Sequence, residues 1–202
     1  KAKSTDAHIR QRRAEGKPPS MFDTQKIRRV LVTGGAGFIG SHLSDALLSR
    51  GCEVVVYDNL SMGRRANVQQ GVEFVEADVR DRASLAQAMR GVDCVYHLAA
   101  RVSIRDTSEK FVEDAEINLM GTLGVLQACA AARPRHLVLA SSMAVYADSP
   151  TPVPVAESYP ARPISGYGIS KLAAERYCLQ LCPQWNVQPT VLRFFNTYGT
   201  RQ

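Results

Sequence analysis

The sequence lacks any apolar run approaching the ~20 residues that a membrane-spanning helix needs, so a helical membrane protein is excluded as an interpretation. The first 26 residues are polar and contain no apolar stretch like the core of a secretory signal. We therefore expect a water-soluble chain in the cytoplasm. Its length, 202 residues, predicts one domain with a tail.

Cysteine is scarce and odd in number. The five cysteines mostly lie within apolar patterns, which is typical of reduced core thiols rather than a disulfide framework. Cys178 and Cys182 are four residues apart on a predicted helix, but no histidine lies nearby. We therefore predict no metal site.

The net charge of +6 comes from one end of the chain. Residues 1–29 hold nine Lys and Arg against three acidic residues, whereas residues 30–202 hold sixteen of each. A basic segment can attract nucleic acid or a membrane surface, but its polar composition is typical of a solvated extension. We predict a basic, disordered tail over 1–26 with no nucleic-acid or membrane partner, followed by a folded domain over 27–202.

Apolar, β-branched runs alternate with helical patterns along the rest of the chain. We predict six strands: Arg29–Thr33, Glu53–Tyr57, Val72–Glu76, Asp93–Leu98, Arg135–Ala140 and Gln188–Phe194. Helices are predicted over Phe38–Arg50, Arg82–Met89, Phe111–Ala131 and Tyr167–Leu181. Continuous apolar strands separated by helices indicate an α/β fold, a doubly wound, Rossmann-like parallel sheet.

The segment 148–165 interrupts this alternation with five prolines. It follows the fifth predicted strand, and ligands bind beyond the carboxyl ends of strands in open α/β sheets. Because long loops inside a domain are usually functional, we expect this segment to border the site. A plain linker is the alternative.

A glycine-rich turn follows the first predicted strand. Gly34, Gly37 and Gly40 recur at intervals of three, and Phe38 and Ile39 begin the next helix. Such a turn brings backbone N–H groups close to phosphates, and the helix dipole favours their charge. The sequence therefore predicts a site for the pyrophosphate of a dinucleotide.

Asp58 ends the second strand, eighteen residues after Gly40. A carboxylate there can accept both ribose hydroxyls of NAD and would repel a 2′-phosphate. Arg64 and Arg65 follow and could receive such a phosphate, which is the alternative. We predict NAD as the cofactor.

Further polar candidates follow the third strand and end the fourth. Asp78 either caps the next helix or accepts from an adenine amino group, and Asp81 is the other candidate cap. His97 is interpreted as structural. The small residues Ala99 and Ala100 would let a cofactor pass close to the backbone.

The chemistry-bearing pattern is Tyr-x-x-x-Lys, formed by Tyr167 and Lys171 on one face of a predicted helix. The pKa of a free tyrosine is ~10, too high for a base at neutral pH. A neighbouring ammonium and an oxidised nicotinamide would both lower it. Ser142, after the fifth strand, can hydrogen-bond a substrate hydroxyl and this phenol, although a strand-end cap is the alternative.

With these residues in order, the chain resembles the extended short-chain dehydrogenase/reductases, specifically the NAD-dependent sugar-nucleotide epimerase/dehydratase group of UDP-hexose 4-epimerase type. The resemblance runs from about Arg29 to Gln202. Eight segments carry it: the glycine turn Gly34–Gly40, Asp58-Asn59-Leu60-Ser61, Ala77-Asp78-Val79, His97-Leu98-Ala99-Ala100, Asn118 with Gly121-Thr122, the segment at Ser142, Tyr167 with Lys171, and Arg193-Phe194-Phe195-Asn196-Thr197-Tyr198-Gly199.

The resemblance implies that Ser142, Tyr167 and Lys171 are the catalytic residues. It implies that Ser142 and Asn196 bind the substrate, Asn196 through the phosphates of the sugar nucleotide. The implied NAD contacts are Gly34, Gly37, Phe38, Ile39, Gly40, Asp58, Asn59, Asp78, Val79, Leu98, Ala99, Ala100, Asn118, Tyr167, Lys171 and Phe195.

The residues after Ser142 help to choose the reaction. Dehydratases of the group carry an acidic pair where Met143 and Ala144 stand here, and decarboxylases carry a Glu at the position of Ala144. The implied function is NAD-dependent epimerisation of a nucleotide sugar, a UDP-hexose, at C4 through a 4-keto intermediate. Decarboxylase or dehydratase chemistry and a non-catalytic dinucleotide-binding sensor are the alternatives.

The resemblance also implies a homodimer formed through the helices predicted at 111–131 and 167–181. Their apolar faces are equally consistent with packing on the sheet. In the family, a C-terminal portion beyond the equivalent of Gln202 supplies most nucleotide and sugar contacts. From residues 1–202 alone we therefore expect cofactor binding with little or no turnover.

Overall fold

The computed structural model describes residues 27–101, 110–148 and 154–202. The predicted tail and residues 149–153 of the proline-rich segment lie outside these ranges. The strands are β1 (Arg29–Thr33), β2 (Glu53–Asp58), β3 (Glu73–Glu76), β4 (Cys94–His97), β5 (His136–Ser142) and β6 (Gln188–Phe194). The α-helices are α1 (Phe38–Ser49), α2 (Arg82–Ala88), α3 (Phe111–Ala115), α4 (Gly121–Ala132) and α5 (Gly166–Leu181).

The six strands form one sheet in the order β3-β2-β1-β4-β5-β6, and every neighbouring pair is parallel. The doubly wound parallel sheet predicted from the sequence is therefore confirmed. The strand order reverses between β1 and β4, so a crevice opens at their carboxyl ends. The glycine turn after β1 lies at this point.

The two faces of the sheet carry separate parts of the core. Leu31 of β1 packs with apolar residues of α2, α4 and α5, whereas Val30 and Val32 pack with the α1 side. All three side chains are fully buried. Burial on both faces explains why the strands read as continuous apolar runs rather than as alternating ones.

The structure differs from the prediction inside one helix and at the end of one strand. The helix predicted over 111–131 is interrupted by a π-helical turn, Glu116–Met120, between α3 and α4. Within that turn the carbonyl of Asn118 accepts a hydrogen bond from the Thr122 hydroxyl at 2.6 Å. Strand β5 continues beyond Ala140 to Ser142, because β6 pairs with it as far as Phe194. Such pairing leaves no local signal in the sequence.

No helix in the described ranges is long and apolar enough to cross a membrane. In the same part of the chain, no three His, Cys, Asp or Glu side chains come together as metal ligands would. Cys178 and Cys182 lie with their sulfurs 3.9 Å apart, and both are buried thiols. Cys178 belongs to α5 and Cys182 follows that helix, and both pack in the core.

Candidate active site

The glycine turn is built by backbone approaches that a side chain would block. A Cβ on Gly40 would lie 2.1 Å from the Gly34 carbonyl oxygen, and one on Gly34 would lie 2.7 Å from the Ala99 nitrogen. Gly34 also has φ +69°, which favours glycine. Gly37 precedes α1 without a side-chain cap. The first N–H groups of α1 therefore remain available to an anion.

A cleft of about 540 Å³ opens beside this turn at the carboxyl edge of the sheet. Most of the predicted cofactor residues line it: Gly34, Gly37, Phe38, Ile39, Gly40, Asp58, Asn59, Asp78, Val79, Leu98, Ala99 and Ala100. Asn118, Tyr167, Lys171 and Phe195 do not line it. The cleft also contains residues that the sequence did not single out, among them Met62, Gly63, Arg80, Arg101 and Ile117.

Asp58 is held rigidly at the tip of β2. Its two carboxylate oxygens accept backbone N–H groups of Ala36 at 3.0 Å and Leu60 at 2.8 Å. Each oxygen has a further lone pair that a ribose hydroxyl can use. Arg65 lies over the ring of Phe74, 4.5 Å from its centre, and neither Arg64 nor Arg65 lines the cleft. This arrangement favours a cofactor without a 2′-phosphate.

Asp78 is not the cap of α2, since Asp81 takes that role by accepting from the Ser84 N–H at 3.0 Å. The carboxylate of Asp78 instead accepts from the Arg80 guanidinium at 2.8 and 2.9 Å and from the Asn59 amide at 2.9 Å. These hydrogen bonds, chiefly those from Arg80, lower the pKa of Asp78 to about 2. Asp78 is therefore ionised at the wall of the cleft.

His97 is a buried link rather than a group facing the cleft. Its Nδ1 lies 2.7 Å from the Thr33 hydroxyl, and its Nε2 lies 3.0 Å from the Thr122 hydroxyl. Because Thr122 donates to a carbonyl, it accepts from Nε2, which assigns the proton to that nitrogen. Burial lowers the pKa of His97 to about 3. The imidazole is neutral and ties β1 and β4 to α4.

Asn118 lies in the π-helical turn and anchors the chain after β4. Its side-chain oxygen accepts from the Arg101 N–H at 2.8 Å, and its amide donates to the Arg101 carbonyl at 2.9 Å. The Arg101 guanidinium makes ion pairs with Glu113 and Asp114 on α3. Asn118 therefore shapes the wall of the cleft through Arg101, which lines it.

The start of α5 packs directly on the turn that follows β5. Ser165 caps the helix by accepting from the Gly168 N–H at 3.1 Å. A Cβ on Gly168 would lie 2.2 Å from the Ala144 carbonyl oxygen, so only glycine permits this approach. Ser142 caps the same short turn by accepting from the Ala144 N–H at 3.2 Å. The contact between the helix and the turn brings Tyr167 beside Ser142.

Two of the three catalytic candidates are buried, and Ser142 is partly buried. Tyr167 and Lys171 are 8% and 3% exposed, and the Lys171 nitrogen lies 5.8 Å from the centre of the tyrosine ring. That nitrogen donates to the Ala140 carbonyl at 2.9 Å, and Ala140 lines the cleft. The structure thus brings together the three residues that the sequence proposed, and Lys171 connects them to the cleft through Ala140.

Burial governs the protonation of this group. It raises the pKa of Tyr167, and the hydrogen bond with Ser142 opposes the rise only partly. Burial also lowers the pKa of Lys171 to about 8, against a smaller opposite effect of Glu175. The lowering that the sequence pattern predicted from the ammonium is therefore not the dominant effect on the pKa of Tyr167 in the cofactor-free protein.

The remaining predicted residues lie after β6. Phe195 is 49% exposed, and its ring lies 6.2 Å from that of Tyr146. Asn196 is exposed and belongs to the same segment. Sequence reasoning missed Ser141 and Glu175 and assigned no role to Arg193, which together form a buried network under this segment. Their signal was weak, because Glu175 lies 34 positions from Ser141 and 18 from Arg193 in the sequence and meets them only in the fold.

Comparison with known proteins gives consistent results. UDP-glucose 4-epimerase of Azospirillum brasilense is 38% identical over 173 residues, covering 85% of this chain and 49% of that protein. UDP-glucuronic acid decarboxylase 1 of Xenopus tropicalis is 36% identical, covering 91% of this chain and 45% of that protein. The crystal structure of Thermus thermophilus UDP-glucose 4-epimerase in complex with NAD superimposes with a TM-score of 0.82 at 44% identity, covering 86% of this chain and 57% of that one.

The chain spans about half the length of these curated relatives. The family described as the NAD dependent epimerase/dehydratase family matches residues 30–202, which include all the strands and helices described above except Arg29, the first residue of β1. From the match, the doubly wound sheet and the glycine-turn cleft, we conclude that the chain belongs to the NAD dependent epimerase/dehydratase family.

Proposed function

We propose that this chain carries the cofactor-binding and catalytic part of an NAD-dependent epimerase that inverts C4 of a nucleotide sugar, a UDP-hexose, through a 4-keto intermediate. The observation that carries the proposal is the meeting of Ser142, Tyr167 and Lys171 beside the glycine-turn cleft. The names of two relatives, both UDP-glucose 4-epimerases, support the same reaction.

The residues of the cleft fit NAD. The close approach at Gly40 exposes the N–H groups of α1 to a pyrophosphate, and Asp58 has lone pairs for the adenine ribose. An ammonium has three donors, and Lys171 uses one on Ala140. Two remain for the nicotinamide ribose. When bound, NAD supplies the acceptor and donor of the C4 hydride.

The catalytic residues move one proton and hold one oxygen. Tyr167 takes the proton of the O4 hydroxyl as C4 is oxidised and returns it when C4 is reduced. Ser142 hydrogen-bonds the reacting oxygen and the phenol. Between the two steps the 4-keto sugar rotates within the site and presents the opposite face of C4. The hydride therefore returns to that face.

Other reactions of the family are less well supported. Met143 and Ala144 form the short turn after Ser142, and neither carries an acid that could protonate a leaving hydroxyl. A non-catalytic dinucleotide sensor would need the cleft but not the group of Ser142, Tyr167 and Lys171. Both points favour epimerisation.

The test replaces the phenol that carries the proton. In the full-length protein, Tyr167→Phe should lower the kcat for interconversion of UDP-glucose and UDP-galactose by at least ~10²-fold, because it removes the general acid–base group. Chromatographic separation of the two sugar nucleotides measures the rate. The matched control is Tyr177→Phe on the exposed side of the same helix, 46% exposed, which should keep the wild-type rate. Equal rates for both variants would refute the role of Tyr167.

We further propose a homodimer through the surface of α3, the π-helical turn and α5. Apolar side chains there are exposed: Phe111, Val112, Met120 and Ile169, between 46% and 58%. Burial of these side chains against a second copy would remove them from water. Sedimentation equilibrium should give a dimer, and Phe111→Glu should give a monomer. A monomeric wild-type protein at micromolar concentration would contradict the proposal.

A cytoplasmic location is also proposed. All five cysteines are free, and Cys52 is the only one of them that is not buried. Free thiols in this number are typical of a reducing compartment. Cell fractionation tests the location, and recovery from an oxidising compartment with paired cysteines would contradict it.

A further inference from the structure

A buried carboxylate lies one helical turn beyond Lys171 on α5. Glu175 is 2% exposed, and its Oε1 accepts a hydrogen bond from the Ser141 hydroxyl at 2.5 Å. Ser141 is itself 4% exposed and belongs to β5. This contact joins the catalytic helix to the strand that carries Ser142, away from the cofactor cleft.

The same carboxylate reaches the edge strand of the sheet. The Arg193 guanidinium donates to Glu175 Oε1 at 2.9 Å and to Oε2 at 2.7 Å, in a two-point ion pair. Arg193 of β6 stands directly beside Ser141 of β5 in the strand register. Glu175 therefore links its own helix, α5, to both β5 and β6.

Lys171 and Glu175 of α5 hydrogen-bond two consecutive residues near the end of β5. The Ala140 carbonyl accepts from Lys171, and the Ser141 hydroxyl donates to Glu175. Lys171 and Glu175 are four residues apart and share one face of α5. Two side chains of the helix thus hold the strand immediately before Ser142. Ser142 follows this stretch of the strand, and Tyr167 lies in the first turn of the same helix.

The network also extends to the segment after β6. The Arg193 guanidinium lies over the ring of Tyr146, 4.7 Å from its centre. That ring in turn lies 6.2 Å from Phe195. The ion pair of Glu175 and Arg193 is therefore connected through Tyr146 to Phe195, which is predicted to lie near the nicotinamide.

We propose that Glu175 is a positioning residue, which holds Ser142 at the correct place relative to Tyr167 and Lys171 through Ser141 and Arg193. The proposal rests on the proposed function, since it assigns Glu175 to that reaction. Stability alone explains the pair poorly, because a buried ion pair is often no more stabilising than apolar residues of similar size. A misplacement of about 1 Å, in contrast, can cost a catalytic group ~10²-fold in rate.

The experiment removes the hydroxyl that links strand to helix and leaves the ion pair intact. In the full-length protein, Ser141→Ala should lower kcat about 10-fold, while KM for the UDP-hexose and the content of bound NAD stay within about twofold. The matched control is Ser44→Ala. Ser44 is also 4% exposed, but its hydroxyl bonds within its own helix, to the Gly40 carbonyl at 2.8 Å. The control should keep the wild-type kcat, although both variants lose a buried hydroxyl.

A second readout does not depend on turnover. Tyrosines carrying ¹³C at Cζ report the titration of Tyr167, whose signal is identified by its loss in Tyr167→Phe. Because the hydrogen bond with Ser142 weakens, Ser141→Ala should raise the pKa of Tyr167 by about 0.5–1 unit. Ser44→Ala should leave it unchanged. Absence of epimerisation by the wild-type protein would refute the proposed function, whereas this titration tests the positioning separately.

A second variant, Glu175→Gln, changes the residue of the network that lies on helix α5. It keeps the shape of the side chain but removes the charge that pairs with Arg193, and kcat should fall at least as far as in Ser141→Ala. If Glu175→Gln does not fold, the Ser141→Ala results decide. A wild-type kcat and an unchanged Tyr167 titration in Ser141→Ala would overturn the proposal.

Discussion

At the scale of single residues, burial changes the pKa values of the groups that would react more than neighbouring charges do. It raises the pKa of Tyr167 and lowers that of Lys171 to about 8. The phenol is therefore protonated at neutral pH in the cofactor-free protein. A base is needed only when substrate is oxidised, so a further influence has to lower this pKa. We propose that the positive charge of an oxidised nicotinamide lowers the pKa of the phenol.

Bound NAD should therefore lower the pKa of Tyr167, whereas bound NADH should not. The reduced ring has no positive charge, so it is a matched control of nearly the same shape. The Cζ chemical shift of Tyr167, followed against pH in both complexes, measures the effect. Identical titrations with NAD and NADH would show that the nicotinamide charge does not activate the phenol.

At the scale of elements, local signals were sufficient for the glycine turn and for the presence of six strands, although not for the end of β5. Gly34, Gly37 and Gly40 follow an apolar β-branched run, and such a combination leaves few alternatives. The π-helical turn had no such signal. Asn118 in this turn and Thr122 after it contact Arg101 and His97, which are distant in the sequence. Periodicity over 111–131 therefore indicated only a continuous helix.

Some residues of the candidate site could likewise be predicted from the sequence, and others could not. Tyr167 and Lys171 were predictable, because their spacing alone places them on one face of α5. Glu175 belongs to the same face, but its role becomes visible only when β5 and β6 bring Ser141 and Arg193 to it. Tertiary contacts between elements carry no signature in one sequence.

The His97 link between β4 and α4 predicts a loss of stability in mild acid. In the unfolded chain His97 binds a proton below pH ~6.5, whereas in the folded protein its pKa is lowered to about 3 and it stays neutral above that value. The unfolded state therefore binds more protons between these values, and stability falls as the pH falls. From pH 7 to pH 5 the loss due to His97 is about 2 kcal/mol.

Urea unfolding at the two pH values measures this contribution. His97→Gln keeps a side chain that can donate and accept, and it should reduce the difference in unfolding free energy between pH 7 and pH 5 by about 2 kcal/mol. His42→Gln, at a histidine on the surface of α1 whose ring bonds the Thr200 carbonyl, should retain the wild-type difference. An unchanged difference in His97→Gln would mean that His97 titrates in the folded state much as it does in the unfolded one.

At the scale of the whole molecule, the sheet brings residues from four regions to one edge. The glycine turn follows β1, Asp58 ends β2, Ser142 ends β5 and Tyr167 lies in the first turn of α5. The first two line the cleft beside the reversal of strand order, and the last two lie next to Lys171, which donates to Ala140 in the cleft wall. The residues proposed to hold the adenosine end of NAD and the residues proposed to react therefore share one edge of the sheet.

The fate of the C4 hydrogen tests the proposed epimerisation most directly. The full-length protein, with its bound cofactor and no added NAD, is incubated with UDP-hexoses in D₂O, and the products are analysed by NMR. We predict inversion at C4 without deuterium in the sugar, because the hydride returns from the cofactor. Deuterium at C5, loss of water or loss of CO₂ from a UDP-hexuronic acid would contradict C4 epimerisation. A protein that retains NAD but converts none of these sugars would contradict the enzymatic function itself.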